Sequence, residues 1–214
     1  MNKPSEGLMS GILNLPLEQL ESNSSSEHVD VAIVGAGAAG LMAGIFAARA
    51  NPKHSIVLLD GAKRLGAKIL VAGGGRCNVT HDIVDESAYA GSSRNAIKKV
   101  LRRFDVPQTV EFFRGLGVEL KREETGKLFP VTDDAHTVLN AMLSAVNSSG
   151  AKIRNLLRVE TIERPDDGFC LYGEWGTLQA SKVILATGGK SLPKSGSDGG
   201  GYKLAQSLGH TLTS

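Results

Sequence analysis

Residues 29–48 read VDVAIVGAGAAGLMAGIFAA, and the order of the parts in that run constrains the fold more than any other stretch. The apolar residues 29–34 predict a short buried strand. They feed directly into Gly35-Ala36-Gly37-Ala38-Ala39-Gly40, and a segment with Ala43, Gly44, Ala47 and Ala48 at helical spacing follows. Strand, glycine turn and helix in that order read as the opening of a dinucleotide-binding βαβ unit. Gly35 lets the chain turn sharply, Gly37 has no Cβ to hold a diphosphate off the backbone, and Gly40 lets the helix sit close on the strand. The N–H groups at the helix start, including those of Ala38 and Ala39, then face the diphosphate together with the positive end of the helix dipole.

A second predicted strand over 55–59 (SIVLL) ends at Asp60, twenty residues beyond Gly40. That spacing suits a carboxylate that accepts hydrogen bonds from the adenosine ribose, and an acid there disfavours a 2′-phosphate. The competing reading is a glycine turn in an unrelated α/β protein with Asp60 capping a loop. Strand, glycines, small helix face and acid together favour the nucleotide reading.

The chain is long enough, at 214 residues, for one substantial core or for one domain and part of a second. A hydrophobic fraction of 41% and a charged fraction of 21% are those of a soluble globular protein. A net charge of +2 and 5% aromatic residues argue against nucleic-acid and membrane partners. Cys77 and Cys170 are far apart and form no CxxC pair, so they read as reduced thiols in a cytoplasmic protein. No run is long enough to span a membrane, and no cluster has metal-ligand spacing. Residues 1–28 read as a flexible extension, 29–190 as the nucleotide-binding domain and 191–214 as the start of a connection to a second domain that the chain lacks.

Past Asp60 a basic loop, GAKRLGAK, and a short apolar run lead to Gly73-Gly74-Gly75-Arg76-Cys77-Asn78. Three successive glycines are costly in chain entropy, so this loop is expected to bring backbone close to a ligand. Over 94–104, Ile97, Val100, Leu101 and Phe104 share one helical face, with Lys98, Lys99, Arg102 and Arg103 largely off it. Pro107 opens a second helix, a hairpin is predicted from strands over 118–120 and 127–131, and Asp133 or Asp134 caps a helix over about 135–148. Residues 151–155 read as a parallel strand, 158–180 as a small antiparallel meander, and 182–186 as a buried strand that stops at Thr187-Gly188-Gly189. The fold class expected is α/β: a Rossmann-like parallel sheet with helices on both faces plus the meander.

With those residues in place, the chain resembles the glutathione-reductase-like FAD superfamily. More narrowly, it is similar to bacterial NAD(P)/FAD-dependent oxidoreductases, among them aminoacetone oxidase-like and dehydro-bile-acid reductase-like flavoproteins. The narrow likeness rests on GAKILVAGGGRCNVTH (66–81), GKLFPVT (126–132) and ILATGGKSLPKSGSDGGGYKLAQSLGH (184–210). Ala72 and His81 depart from the family pattern, which usually has Ser and Asn there. The resemblance implies FAD, with its diphosphate over Gly35, Gly37 and Gly40, its ribose on Asp60 and its adenine against the backbone of Val159. Lys68, Gly74, Gly75, Arg76, Cys77 and Asn78 would run along the diphosphate toward the isoalloxazine ring, and Thr187 and Gly188 would support the cofactor from the sheet. It also implies hydride transfer through the flavin between a reduced nicotinamide, NAD(P)H, and a small organic substrate. Family members are longer, so the chain corresponds to their N-terminal portion.

No residue reads as a general acid or base, and Cys77 reads as a packed residue rather than a redox thiol. The substrate and the oligomeric state are left open. Two other readings stand beside the flavoenzyme: a truncated, catalytically inactive nucleotide-binding fragment, and an NAD-dependent dehydrogenase, whose chain would lack the meander and ATGG ending.

Overall fold

A computed structural model describes residues 27–90 and 93–212 of the chain. The extension expected over 1–28 falls outside the described residues except for its last two. Those two are built into the fold: Glu27 pairs with Arg154, and His28 opens the first strand.

The chain opens with β1 (His28–Val34), α1 (Ala38–Ala50), β2 (Ile56–Asp60) and the short α2 (Ala67–Val71). Next come β3 (Thr80–His81), α3 (Arg94–Leu101), α4 (Val106–Gly115), β4 (Leu120–Arg122) and β5 (Lys127–Pro130). The last part holds α5 (Ala135–Ser148), β6 (Lys152–Asn155), β7 (Thr161–Glu163), β8 (Phe169–Gly173), β9 (Gly176–Leu185) and α6 (Gly200–Ser207). A six-stranded sheet runs in the order β6-β2-β1-β9-β8-β7, and β3-β5-β4 form a smaller antiparallel sheet. In the large sheet β6, β2, β1 and β9 are parallel, with Val31 opposite Ile56 and Val34 opposite Leu185. The α/β class and its Rossmann-like parallel sheet are as the sequence predicts.

Alternation along β1 and β2 buries both faces, because each apolar strand has a partner layer on either side. Val31, Ile33, Ile56 and Leu58 pack under α1 and α5, against Leu41, Ile45, Val138 and Met142. Ala32, Val34, Val57 and Leu59 face the other way, onto Val159, Ile162, Leu171, Leu178 and Leu204. Gly44 sets the approach of α1 to β2, since a Cβ there would come within 2.9 Å of Leu58 Cδ1.

Three expectations are corrected. The meander strand expected over 177–180 and the strand expected over 182–186 are one ten-residue strand, β9. Its first half pairs antiparallel with β8, while residues 179–185 pair parallel with β1. The end of β9 is not buried either. Pairing with β8 stops at Ala180, so residues 181–185 are bonded on the β1 side alone, and Ile184 and Leu185 are 37% and 36% exposed. In α3, Val100 does not reach the core and is 68% exposed, because that helix packs chiefly on the single turn at Glu86–Ala88. Farther along, α6 packs on the sheet, with Leu204 buried. No helix among the described residues is long and apolar enough to cross a membrane.

Candidate functional site

The carboxyl ends of β1, β2 and β9 open onto a cavity of about 840 Å³, a size typical of small-molecule and cofactor sites. Its floor is the turn after β1. Gly35 holds φ +103°, and a Cβ on it would strike the carbonyl of Ala186 at 2.5 Å, where β9 ends alongside. A Cβ on Gly40 would come within 1.8 Å of the Gly35 carbonyl oxygen. Gly40 therefore lets the turn close on itself, while Gly44 sets the helix on the sheet. Gly37 is different in kind. A Cβ there would meet no described protein atom within 4 Å, and Gly37 lines the cavity, so its missing side chain leaves open space on the cavity wall.

Gly37 is also the N-cap of α1, and no side chain caps that end of the helix. The leading N–H groups, at Ala38 and Ala39 on the cavity wall, are thus left to an acceptor from the cavity. Asp60 closes the next strand. Its Oδ2 accepts from the Ala36 N–H at 2.6 Å and its Oδ1 from the Ala62 N–H at 2.7 Å. Both bonds lock the carboxylate at the rim while each oxygen keeps further acceptor capacity.

Lys68, in α2, reaches the same space. A Cβ on Gly188 would lie 3.3 Å from its Nζ, and Lys68 takes part in no ion pair among the described residues. The opposite wall comes from the loop after β9 and from α6. Thr187 donates to its neighbour Gly188 O at 3.2 Å, and Gly201 approaches so closely that a Cβ on it would sit 1.9 Å from Thr187 Oγ1. Ser197 is buried, with its hydroxyl directed at Thr187 O. Arg158 donates to Asp198 at 2.8 Å. The Asp198 carboxyl is held below the ordinary carboxylate range, first by the Gly200 N–H it accepts and then by Arg158.

Of the residues singled out in the sequence, Gly35, Gly37, Ala38, Ala39, Asp60, Lys68, Cys77, Asn78, Val159, Thr187 and Gly188 line this one cavity. Gly40 lies beneath it. The triple glycine is placed otherwise. Gly73, Gly74 and Gly75 all have positive φ, and Gly73 is pressed against the Phe129 ring, so these glycines make a left-handed turn that other residues resist. Gly74, Gly75 and Arg76 do not line the cavity; Ala72, Cys77, Asn78 and Val79 on either side of them do. Arg76 turns toward the small sheet, over the Phe129 ring at 4.0 Å and paired with Glu123 and Asp133. Cys77 is 6% exposed with φ +63°, and burial pushes its thiol pKa up.

Several wall residues went unread in the sequence: Thr109 and Phe113 of α4, Met142 of α5, and Arg158, Ser197 and Asp198. Only Asp198, an acid just ahead of a glycine-rich helix start, carried a local signal. The rest reach the cavity from elements whose placement depends on long-range packing.

The chain is similar to known proteins. The chain is 38% identical over 183 residues to the 3-dehydro-bile acid delta(4,6)-reductase of Clostridium scindens, covering 86% of this chain and 44% of that protein. It is 31% identical over 183 residues to the ribosomal RNA dihydrouridine synthase of Escherichia coli, covering 86% of this chain and 45% of that protein. The chain thus spans less than half the length of these curated relatives. Among solved structures, the open conformation of a flavocytochrome c3 fumarate reductase has the same fold, with a TM-score of 0.58 at 18% identity, covering 91% of this chain and 43% of that one. The family model described as the HI0933-like protein Rossmann domain matches residues 29–214, and the chain belongs to that family.

Proposed function

We propose that this chain binds FAD in the cavity at the ends of β1, β2 and β9, as the nucleotide-holding part of a reductase that acts on a carbon–carbon double bond conjugated to a carbonyl. One observation carries the cofactor reading. The empty side-chain position of Gly37, the uncapped start of α1 and the ammonium of Lys68, which has no ion-pair partner among the described residues, meet in one cavity, and together they suit a diphosphate. Asp60 stands where a ribose would present its hydroxyls, and Val159 lies on the wall beyond it. An NAD-dependent dehydrogenase would share the first βαβ unit. The flavin reading is favoured by the β9 ending at Thr187-Gly188 and by the glycine-rich loop before α6, which enlarge the cavity beyond that unit.

The acceptor class follows from the relatives' names. A delta(4,6)-reductase of a 3-dehydro bile acid and a dihydrouridine synthase both act at carbon–carbon double bonds conjugated to a carbonyl. Bound FAD would supply two-electron hydride chemistry for reducing such a double bond, with NAD(P)H as the electron source. The residues of this chain bind and orient. Lys68 and the start of α1 neutralise the diphosphate, Asp60 fixes the ribose, and Ile69, Met142 and Phe113 keep part of the wall apolar. An RNA substrate has one supporting feature here, the exposed basic run Arg94, Lys99, Arg102 and Arg103 at α3.

Purified protein should be yellow, release FAD on denaturation, and rebind it with quenching of flavin fluorescence. A colourless protein that FAD does not perturb sinks the cofactor reading. Assays of NADH and NADPH consumption with a 3-oxo-4-ene steroid and with a uridine-containing ribosomal RNA fragment then separate the two substrates. Oxidation with neither, in a protein that holds FAD, removes the acceptor class and leaves the cofactor in place.

A further inference from the structure

We propose that the Arg158–Asp198 ion pair is a latch that holds the 189–198 segment against the cavity and so sets how long the cofactor stays bound. The inference rests on the FAD reading above for its ligand and on geometry for its mechanism.

The 189–198 segment is a loop pinched at its base, where the Gly199 N–H donates to Gly189 O at 3.1 Å. Ser195, Gly196, Ser197 and Asp198 from this loop form cavity wall. Gly188 and Gly199 flank it and Gly196 lies within it, all with positive φ, so glycine, the most permissive backbone, bounds the segment on each side. Apart from bonds within the loop and its neck, and the Lys190 ammonium 6.0 Å over the Tyr202 ring of α6, two side-chain hydrogen bonds tie it to the domain among the described residues. One is the long 3.5 Å bond from Ser197 Oγ to Thr187 O. The other is the 2.8 Å charge-assisted bond from Arg158 to Asp198.

Arg158 is well placed to act as the fixed half of that tie. Gly61, just after β2, packs on it so closely that a Cβ there would lie 2.7 Å from Arg158 Cβ. Its carbonyl accepts from Trp175 Nε1 at 2.7 Å. The guanidinium therefore projects from a closely packed shelf beside Asp60 and reaches across to the loop. Asp198 is the hinge half: its Oδ2 takes Arg158 while its Oδ1 accepts from the Gly200 N–H at 2.9 Å and caps the start of α6. Arg158 and Asp198 both line the cavity, so an occupant must pass beside this pair to leave by that wall.

The test uses Asp198→Asn, which removes the charge and keeps an oxygen for the Gly200 N–H, and Arg158→Met, which removes the charge and keeps the stem on Gly61. FAD release is followed by recovery of flavin fluorescence on dilution, and amide hydrogen exchange is followed over 189–199 in the protein without FAD. The pair is about half exposed, so each variant should release FAD roughly two- to five-fold faster, the range such pairs support. Each should also speed exchange in the loop. The double variant should match the single ones, because either change alone opens the latch. Unchanged release and exchange in the single variants overturns the latch, and so does a double variant whose effects multiply. A wild-type protein that binds no FAD overturns the retention claim with the cofactor reading, and the exchange comparison then shows that it failed on the ligand rather than on the tie.

Discussion

Three glycines in one short motif have three separate jobs. Gly35 and Gly40 are confined by protein backbone, from Ala186 and from Gly35 itself, whereas Gly37 borders only open cavity. Substitutions should therefore divide. Gly40→Ala should destabilise the fold, seen as a lowered urea midpoint, while Gly37→Val should leave the midpoint near wild type and weaken FAD binding at least tenfold by fluorescence titration. Comparable unfolding midpoints with intact FAD binding in Gly37→Val would remove the diphosphate from that spot. Cys77 offers a second residue-level test. Its buried thiol titrates above the usual range, so little reactive thiolate is present at neutral pH. Thiol labelling at pH 7 should modify Cys170 before Cys77, Cys77 labelling should climb as pH rises, and FAD should slow it further. Asp198 runs in the opposite direction with pH. Its folded-state pKa is depressed, so its stabilising contribution is present at neutral pH and fades as pH falls through the carboxylate range. The acid-induced loss of melting temperature below about pH 4 should be shallower in Asp198→Asn.

At the scale of elements, the local chemistry of α4 and α5 is plain. Asp105 and Gln108 form a reciprocal capping box at the start of α4, with Pro107 in its first turn, and Asp134 caps α5. Because Thr109 and Phe113 carry α4 onto the cavity wall, the cap also positions the site. Asp105→Ala should cost about 1 kcal/mol by denaturant unfolding, with a smaller loss of FAD affinity. These starts were readable because a cap acts within four residues. The length of β9 was not readable. Residues 176–185 make one strand because β8, joined to it by a tight turn, and β1, remote in sequence, bond to successive stretches of it, and the β1 pairing has no local signal. The placement of the triple glycine was not readable for a related reason. Its composition announces left-handed backbone, but which surface that turn serves depends on Phe129, Glu123 and Asp133, about fifty residues away.

For the whole molecule, the cavity ties together β1, β2, β9, α1, α2, α4, α5 and α6, so a ligand filling it should stabilise the fold globally. FAD at a hundredfold excess over its dissociation constant should add about 2.7 kcal/mol and raise the melting temperature by several degrees. NAD⁺ at the same concentration should add much less, and an equal shift with NAD⁺ would favour the dehydrogenase reading. The turn after β1, the spacing to Asp60, the helix caps and the parallel order of the sheet were written in short-range pattern. Glycine, proline, capping side chains and apolar periodicity act over a few residues, which is why inspection of the chain alone recovers them. Which way Arg76 points, how far the end of β9 lies open, and that Arg158 meets Asp198 were settled by folding. The Arg76 and Arg158 pairings are meetings of segments forty or more residues apart, the end of β9 depends on where its pairing with β8 stops, and only packing of the complete core selects among the partners such groups could take.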